Sequence, residues 1–458
     1  QGIIYVNGEP ETKRYLASTI DSSSAWVSVG GVDNAGSVSQ PLFGAIDDVR
    51  IFDRALTADQ VAEIAAAPLP EAGTVLPEIT DLPVASKGEI GLWYTPIPKM
   101  EELKPINDVT FHAIKAYEPD VDGFEFLHGV DLIWHNEKLY ASFGNNQGSE
   151  NSQGEMARYR VSEDGGVTWG PVGVLSGSEG NLSTSHGVFL SYNNRLWAFQ
   201  GAFYNRFERT HTRVYLLNDS SGAWEPKGTV VDKGFWPMQN PERMPDGNWI
   251  MPGLRARHGF ASEDLDYPDE NLPAVAISHG DDFTKWDLVV IPAAEGVTHM
   301  WGEAGVIVDG SRVTLLSRWR GERPYALIAE SQDCGRTWTT LRASNMPMAA
   351  SKPCVGMLST GQRYLIANIS ANTGNRRTPL SIAYSRPGES SLSEIRVIRH
   401  SLQNDAPWSA ESATFGYPAA VEHGGKLYVG YSNSGSAQGK GYNVNNAELA
   451  VIPIAELQ

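Results

Sequence analysis

The octapeptide Ser162-Glu-Asp-Gly-Gly-Val-Thr-Trp169 recurs in the chain as Ser331-Gln-Asp-Cys-Gly-Arg-Thr-Trp338. Both copies follow the pattern Ser-x-Asp-x-Gly-x-Thr-Trp. In such a segment the aspartate can accept backbone hydrogen bonds within its own turn, the glycine permits positive φ, and the tryptophan begins the next strand as an apolar anchor. Two close copies of this turn predict a fold built from repeated β-hairpins.

A longer repeat runs in phase with these turns. Six segments share a leading polar residue, a short apolar run, a turn and a second apolar strand. Their leading residues are His128, His186, Asn240, Glu303, Lys352 and Tyr417. Repeats of roughly 50–60 residues made of short strands are typical of a β-propeller, and a β-sandwich with irregular hairpins is the alternative. We predict an all-β chain with six propeller blades. A seventh blade, built from residues 90–115 and a C-terminal strand at residues 449–454, is the alternative to six.

The composition agrees with this fold and limits the partners of the chain. Its 458 residues are enough for two domains, and 46 Gly and 27 Pro suit tight turns rather than helices. The net charge of −18 argues against a nucleic-acid partner but permits an acidic sugar held by a few arginines. No apolar stretch of the sequence is long enough to span a membrane. Two cysteines, Cys334 and Cys354, do not make a disulfide framework.

The N-terminal part of the chain has a different pattern. Strands are predicted at residues 3–8, 26–30 and 43–52, followed by a short helix at residues 57–66 and a Pro-rich linker at residues 67–87. The segment that begins at Phe43 resembles the closing portion of a laminin-G-like or concanavalin-like jelly roll. We therefore expect a partial jelly-roll segment at residues 1–66, cut from a longer module, and a propeller at residues 88–458. In the resembled family this module would bind carbohydrate or act as a spacer.

The octapeptides and the later repeats resemble the sialidases. The octapeptides are similar to the Asp-boxes of sialidase-like β-propellers. Glu303 and Arg318 match the family's glutamate and a substrate-binding arginine. Residues 375–385, which include Arg377, resemble the segment that supplies another arginine, and the segment around Tyr417 resembles the one that carries the tyrosine nucleophile. An arginine pair suits a sugar carboxylate, because the planar guanidinium binds it bidentately.

The first repeat departs from the sialidase pattern. It reads Leu127-His128-Gly129 where sialidases have Arg-Ile-Pro, so an imidazole that titrates near neutral pH replaces a carboxylate-binding arginine. The propeller resembles more closely the sialidase-like propellers that act on rhamnose linked to glucuronate, as lyases or hydrolases. This resemblance is carried by residues 126–129, 134–135, 139–146, 148–151, 351–353, 358–366 and 384–389.

The six leading residues are the candidate site. In a propeller the innermost strand of each blade starts near the central axis, so these side chains are expected to form one ring. Polar groups that converge on a concave channel indicate an active site, and a hydrated structural channel is the alternative. Asn240 and Lys352 are expected to bind substrate within this ring.

Two reactions fit these residue types. For β-elimination next to a uronic acid, His128 is predicted to be the base, with His186 beside it, and Tyr204 or Tyr417 would protonate the leaving oxygen. The cations expected to neutralise the substrate carboxylate are Arg213, Arg255, Arg318 and Arg377. For hydrolysis, Glu303 would be the acid/base, and Tyr417 or a water would attack. The histidines favour elimination, and we predict an L-rhamnose-α-1,4-D-glucuronate lyase. The alternative is an exo-glycosidase that acts by rhamnosidase-like or sialidase-like hydrolysis.

Further expectations concern ligands and location. The acidic segment at residues 263–270 could hold Ca²⁺, but it lacks a recognisable ligand spacing. No other cofactor or metal site is predicted. A non-catalytic glycan-binding propeller is the alternative to an enzyme, although a lectin needs no proton-transfer groups. The expected partner is an acidic plant or algal polysaccharide or oligosaccharide, which implies a secreted or periplasmic protein. The sequence does not determine the oligomeric state.

Overall fold

The computed structural model describes part of the N-terminal region and most of the rest of the chain. The described residues are 2–6, 9–14, 32–34, 37–39, 57, 59–62, 91–93, 96–265, 267, 270–297, 301–319, 324–435 and 445–458. The chain divides into two compact units, Gln1–Thr80 and Asp81–Gln458. Among the described residues, no helix combines the length and apolar character needed to cross a membrane.

The first unit contains short antiparallel strand pairs in its described part. These strands are β1 (Gly2–Val6) with β2 (Glu9–Arg14), and β3 (Val32–Asn34) with β4 (Ser37–Ser39). β1 overlaps the strand predicted at residues 3–8, and residues 59–62 are helical within the helix predicted at residues 57–66. The predicted strands at residues 26–30 and 43–52 and the linker at residues 67–87 lie outside the described residues.

The described residues of the second unit form six antiparallel sheets, the blades of a propeller. Two strands precede the blades, β5 (Lys104–Pro105) and β6 (Thr110–Lys115). Blade one contains β7 (Phe126–His135), β8 (Lys138–Asn146), β9 (Met156–Ser162) and β10 (Gly173–Ser176). Blade two contains β11 (Leu182–Tyr192), β12 (Arg195–Tyr204), β13 (Glu208–Asn218) and β14 (Ala223–Val231). Blade three contains β15 (Phe235–Pro237), β16 (Glu242–Arg243), β17 (Trp249–Arg255), β18 (Leu272–His279) and β19 (Asp282–Val290).

The remaining blades follow the same plan. Blade four contains β20 (Ala304–Asp309), β21 (Arg312–Ser317), β22 (Tyr325–Ser331) and β23 (Arg342–Pro347). Blade five contains β24 (Cys354–Met357), β25 (Arg363–Ala367), β26 (Leu380–Ser385) and β27 (Leu392–Arg399). Blade six begins with β28 (Phe415–His423), β29 (Lys426–Asn433) and β30 (Asn446–Pro453). The helical segments among the described residues of the second unit are the α-helix Pro119–Asp122 and the 3₁₀ turns Met100–Glu102, Ser262–Asp264 and Ile454–Leu457.

The early strands of the unit complete the last two blades. β6 is the outermost strand of blade six, where His112 lies opposite Leu449 of β30, and β5 adds a parallel edge to β27 of blade five. Segments from both ends of the unit therefore share one sheet, which closes the ring. The alternative of a seventh blade built from residues 90–115 and 449–454 is wrong, because these residues are used in blades five and six.

The two octapeptides form the turns between the third and fourth strands of blades one and four. Asp164 Oδ1 accepts the backbone N–H of Thr168 at 2.8 Å, and Asp333 Oδ1 accepts that of Thr337 at 2.8 Å. Hydrogen bonds from these threonines lower the pKa of both aspartates to about 2. The predicted hairpin turns are confirmed, and they lie on the blades' outer strands rather than at the axis.

The hydrophobic core lies between blades. Six clusters of buried residues among the described residues each join two neighbouring blades. Between blades one and two, for example, Tyr140 and Ala157 meet Phe189 and Leu196. Because each sheet is covered on both faces, its inner strands are buried along almost their whole length, as in β12. Polar side chains can therefore meet at the end of these strands on a rigid frame.

Candidate active site

Irregular backbone at the start of three innermost strands shapes the site. The pairing register shifts in β7, β11 and β28, and each shift marks a β-bulge that re-aims the adjacent side chains. The side chains next to these bulges are His128, His186 and Tyr417. Tyr417 itself has φ +55°, a left-handed conformation that is unusual for a bulky residue and is held there by the surrounding sheet.

Gly129 explains how two histidines fit side by side. Its φ is +71°, and a Cβ at this position would lie 2.2 Å from Cγ of His186. Only glycine leaves room for the neighbouring imidazole. The ring centroids of His128 and His186 are consequently 6.4 Å apart. The His-Gly dipeptide of the first repeat is therefore a packing requirement as well as a source of polar groups.

A cavity of about 190 Å³ opens at this end of the channel. Six of the predicted site residues line it: His128, His186, Glu303, Arg318, Arg377 and Tyr417. The remaining lining residues are Glu150, Asn151, Phe207, Trp236, Met238, Leu254 and Trp301. We call this cavity the pocket. It combines charged groups with aromatic and aliphatic side chains, as ligand sites commonly do.

Tyr417, Glu303 and Arg318 form a buried hydrogen-bonded group. The Tyr417 hydroxyl donates to Glu303 Oε1 in a very short contact. Arg318 Nη1 donates to Glu303 Oε2 at 2.7 Å and to the Tyr417 oxygen at 3.2 Å. Burial and the Glu303 carboxylate raise the pKa of Tyr417 well above its usual value, so the phenol keeps its proton while it donates to Glu303. The group thus pairs a phenol with a carboxylate that can take its proton.

Arg377 supplies a second guanidinium to the pocket. Its Nη2 donates to the carbonyl of Ala350 at 3.0 Å, and its own carbonyl accepts the Phe415 N–H at 2.7 Å. The neighbouring Arg376 instead donates to the carbonyl of Asn372 and is exposed. Adjacent residues of an extended segment point in opposite directions, and Arg377 is the one that reaches the pocket.

His128 lies against the phenol ring of Tyr417, with ring centroids 4.0 Å apart. Asn445 Nδ2 donates to the carbonyl of Leu127 at 3.0 Å, which fixes the orientation of its amide group, and approaches His128 Nδ1 at 3.3 Å. Ser432 Oγ also lies 2.8 Å from this Nδ1. With the Asn445 amide as donor to Nδ1, the proton of the neutral imidazole is assigned to Nε2.

Both imidazoles are neutral at ordinary pH. Burial, followed by the nearby His186 and the cations around the pocket, lowers the pKa of His128 well below its usual value. Burial and Lys352 lower the pKa of His186 to about 3. The direction of the His128 shift runs against the expectation that this residue titrates near neutral pH. The buried Nε2 of each ring has no hydrogen-bond partner among the described residues, which leaves both available to a ligand.

Lys352 and Asn240 lie in the channel but outside the pocket lining. Lys352 Nζ donates to the carbonyls of Met238 and Pro418, at 2.9 and 2.8 Å, and burial lowers its pKa. Asn240 donates to a carbonyl of β7 at 2.9 Å and accepts an N–H of β11 at 3.0 Å. Both side chains tie blades together here. Lys352 acts on the pocket through its charge rather than by contact.

Three predicted residues are placed away from the pocket. Arg255 is buried on β17, where Nη2 donates to the carbonyl of Tyr267 at 2.9 Å. Arg213 lies on β13, the third strand of its blade, and so is displaced from the axis. Tyr204 ends β12 and stacks on His211, with ring centroids 5.5 Å apart. Arg213 and Arg255, predicted to neutralise a substrate carboxylate, and Tyr204, predicted to protonate the leaving oxygen, do not line the pocket. The repeat pattern does not fix which strand of a blade a residue occupies.

The main residue that the repeat pattern missed is Glu150. It lies with Asn151 on the loop between β8 and β9, on the pocket wall. The buried Glu155 accepts the Asn151 N–H at 2.7 Å and so supports this loop, and burial raises the pKa of Glu155 to about 8. Glu150 follows the second strand of its blade rather than leading the first. The sequence signal that could have identified Glu150 is the resemblance of residues 148–151 to the sialidase-like propellers that act on rhamnose linked to glucuronate.

Comparisons with known proteins agree with the two-unit organisation. Residues 183–429 match the BNR repeat-like domain, and residues 1–62 match the Concanavalin A-like lectin/glucanases superfamily. The predicted propeller and the predicted jelly-roll resemblance are confirmed. No curated protein sequence matches the chain.

Three solved structures illustrate the likeness in fold. A protein of unknown function from Dyadobacter fermentans is 14% identical, with a TM-score of 0.54, over 76% of this chain and 99% of its own. A Hadza microbial sialidase is 14% identical, with a TM-score of 0.58, over 75% of this chain and 68% of its own. The Trypanosoma rangeli sialidase is 14% identical, with a TM-score of 0.54, over 79% of this chain and 60% of its own. At this identity the likeness is one of fold. Since the repeat-domain match spans more than half of its length, the chain belongs to the BNR repeat-like domain family.

Proposed function

We propose that the chain is a retaining glycoside hydrolase that removes a terminal sugar carrying a carboxylate. The observation that carries this proposal is the hydrogen bond from the Tyr417 phenol to the Glu303 carboxylate, beside two arginines in a buried pocket. A phenol next to a base is an activated nucleophile. The arginines provide the positive charge that a carboxylate requires.

The reaction follows from the positions of these groups. The Tyr417 oxygen attacks the anomeric carbon while its proton passes to Glu303, which forms a covalent glycosyl–tyrosine intermediate as the glycosidic bond breaks. An acid must protonate the departing oxygen. Water then attacks the anomeric carbon, and the proton on Glu303 returns to the tyrosine oxygen. Two displacements at one carbon retain its configuration.

Glu150 is our candidate for the acid. It lies on the wall that the pocket shares with a second cavity, at the exit that a leaving group would take. Of the four residues on this shared wall, only Glu150 can transfer a proton; the other three are Asn151, Phe207 and Trp301. Once it has protonated the leaving oxygen, its carboxylate can deprotonate the attacking water.

The residues of the pocket indicate which chemical groups the terminal sugar must carry. Arg318 and Arg377 are positioned for its carboxylate, and the neutral Nε2–H of His128 can donate to a hydroxyl or carboxylate oxygen. Trp236, tilted against His186 with ring centroids 4.9 Å apart, offers an apolar face to the sugar ring. The size of the cavity suits one sugar ring, which favours removal of terminal residues from an acidic oligosaccharide or polysaccharide.

A panel of 4-methylumbelliferyl glycosides tests this proposal. We expect fluorescence release from the glycoside of an acidic sugar, N-acetylneuraminic acid or glucuronic acid, and none from the rhamnoside. Proton NMR of the first product should show retained anomeric configuration. Inversion, or cleavage that persists in Tyr417→Phe, would rule out the tyrosine as nucleophile.

Glu150→Gln provides the sharper test of the acid. The umbelliferyl group leaves without much help from a proton, whereas a sugar does not. Glu150→Gln should therefore lose far more turnover on a disaccharide than on the fluorogenic glycoside. Equal losses on both substrates would remove Glu150 from the role of acid.

A second candidate function is elimination next to a uronic acid, including the rhamnose–glucuronate linkage. The observation that favours it is the contact between the neutral His128 and Tyr417, surrounded by cations. The proton on Nε2 is unfavourable for a base that must face the substrate. Digestion of gum arabic separates the two reactions: absorbance near roughly 235 nm rises only on elimination, and His128→Ala should then abolish the rise.

A further inference from the structure

A second cavity adjoins the pocket on its open side. Its volume is about 460 Å³, and it shares with the pocket the wall formed by Glu150, Asn151, Phe207 and Trp301. The rings of Phe207 and Trp301 meet edge to face, with centroids 5.3 Å apart. A molecule that extends out of the pocket past Glu150 therefore enters this second cavity.

The far side of this cavity is cationic although the chain is acidic. Arg206, Arg257 and His258 line it together with Asn271. The chain as a whole carries a net charge of −18, so two arginines around one cavity stand out against the general charge. Among the described residues, neither guanidinium has an ion-pair or side-chain hydrogen-bond partner. We call this surface, formed by Arg206, Arg257, His258 and Asn271, the cationic groove.

The backbone on both sides of the cationic groove is held in place. The Arg209 N–H, near the start of β13, donates to the carbonyl of His258 at 2.8 Å, which joins a strand of blade two to a loop of blade three. Arg257 N–H donates to Asn271 Oδ1 at 3.0 Å. Gly259 has φ +78°, and a Cβ there would lie 2.9 Å from the Cβ of Glu208. The two arginines are thus carried by loops in close backbone contact.

We propose that the cationic groove binds the sugar on the leaving-group side of the scissile bond and selects one that carries a carboxylate or a sulfate. The proposal rests on the proposed function and names the second sugar of the substrate. The guanidinium forks bind either anion bidentately, and the Phe207–Trp301 pair borders the path of the ring. Glu150, on the wall between the cavities, lies where the bond between the two sugars crosses.

The test compares Arg206→Gln/Arg257→Gln with a control that removes the same charge elsewhere, Arg342→Gln/Arg386→Gln, whose arginines are exposed on blades four and five. The substrates share the terminal sugar identified by the fluorogenic panel and differ in the second sugar, which is neutral, carboxylated or sulfated. We expect the groove variant to lower kcat/KM about tenfold or more on a charged second sugar. Its activity on the neutral disaccharide and on the fluorogenic glycoside should change less than about twofold. Losses on one charged substrate alone would tell which anion is bound.

Equal kcat/KM values for charged and neutral second sugars in the wild-type protein would overturn the proposal. A loss of the same size in the control variant would also overturn it, since only overall charge would then matter. If the panel yields no substrate, the proposed function fails, but the groove can still be tested by NMR titration with lactose, sulfated lactose and glucuronyl-galactose. Binding of a charged probe that is lost in Arg206→Gln/Arg257→Gln supports the groove, and absence of binding by the wild-type protein refutes it.

Discussion

Two groups of the same composition occupy different places in this propeller. Glu448 accepts Arg399 Nε at 2.9 Å and the Tyr431 hydroxyl at 2.7 Å, between blades five and six. Glu303 accepts Arg318 and the Tyr417 hydroxyl at the pocket. Each group contains one glutamate, one arginine and one tyrosine.

The difference lies in what surrounds them. Glu448 and Arg399 are fully buried, and Asn433 and the carbonyls of His400 and Pro407 take up their remaining hydrogen-bonding capacity. The Glu303 group lines the pocket. The two groups therefore differ in access to a ligand rather than in residue type. The enclosed Glu448 group can serve only the stability of the fold.

Removal of the two tyrosine hydroxyls should give the largest contrast. Tyr417→Phe deletes the proposed nucleophile, so we expect turnover to fall at least about a thousandfold, while the fold is retained. Tyr431→Phe should leave turnover of the folded protein nearly unchanged and lower the melting temperature. Turnover and thermal unfolding are measured on both variants. Comparable losses of turnover in Tyr417→Phe and Tyr431→Phe would contradict the assignment of different roles to the two groups.

Substitution of the two glutamates should lower the free energy of unfolding by different amounts. Glu448→Gln leaves the buried Arg399 guanidinium without its counter-charge, which should cost about 3–5 kcal/mol of unfolding free energy. Glu303→Gln should cost much less, because Arg318 borders a cavity that admits water, yet it should abolish activity. Urea unfolding followed by tryptophan fluorescence gives both free energies. A larger stability loss for Glu303→Gln would contradict the structural assignment of the Glu448 group.

A third buried carboxyl sharpens the comparison, because it has no arginine. Burial raises the pKa of Asp131 from 3.8 to about 7, and its Oδ2 accepts the Phe189 N–H at 3.1 Å. The folded protein therefore binds a proton that the unfolded chain releases near its ordinary pKa. The stability from this group is full below about pH 4 and is lost as the pH rises towards 7.

We test this with Asp131→Asn, which keeps the shape of the side chain and cannot ionise. The melting temperature of the wild-type protein minus that of the variant should decrease between pH 4 and pH 7. Taking the difference removes the opposite contribution of His128 and His186, whose lowered pKa values reduce stability at acid pH. A difference that stays flat over this range would show that Asp131 remains ionised.

The smallest effect is expected at the outer turns. Asp164 orders its turn by accepting hydrogen bonds from Thr168, but it is exposed and far from the axis. Asp164→Ala should lower the melting temperature slightly and leave turnover unchanged. Asp333→Ala, in the matching turn of blade four, is the internal control. A loss of activity in either variant would mean that these outer turns influence the pocket.

The sequence predicted more of the pocket than of its surroundings. His128, His186, Glu303 and Tyr417 were identifiable because each leads a repeat. The residue types suit the proposed chemistry at Arg213, Arg255 and Tyr204. Their positions in the sequence, however, do not indicate how far each side chain lies from the propeller axis. Glu150 was passed over because it follows a second strand, where the repeat has no fixed position.

By itself, the sequence determined the repeating hairpins, a propeller with at least six blades and the residue types at the head of each inner strand, since these depend on local turn chemistry and on the spacing of apolar strands. Only the tertiary structure decided which polar groups meet. The closing of the ring by β6, the packing of His186 against Gly129 and the hydrogen bond from Arg209 to His258 join residues far apart in the chain. Such contacts depend on packing between sheets, which no local pattern encodes. For the same reason, two glutamate–arginine–tyrosine groups with equal chemistry could be told apart only once one was enclosed and the other opened onto a cavity.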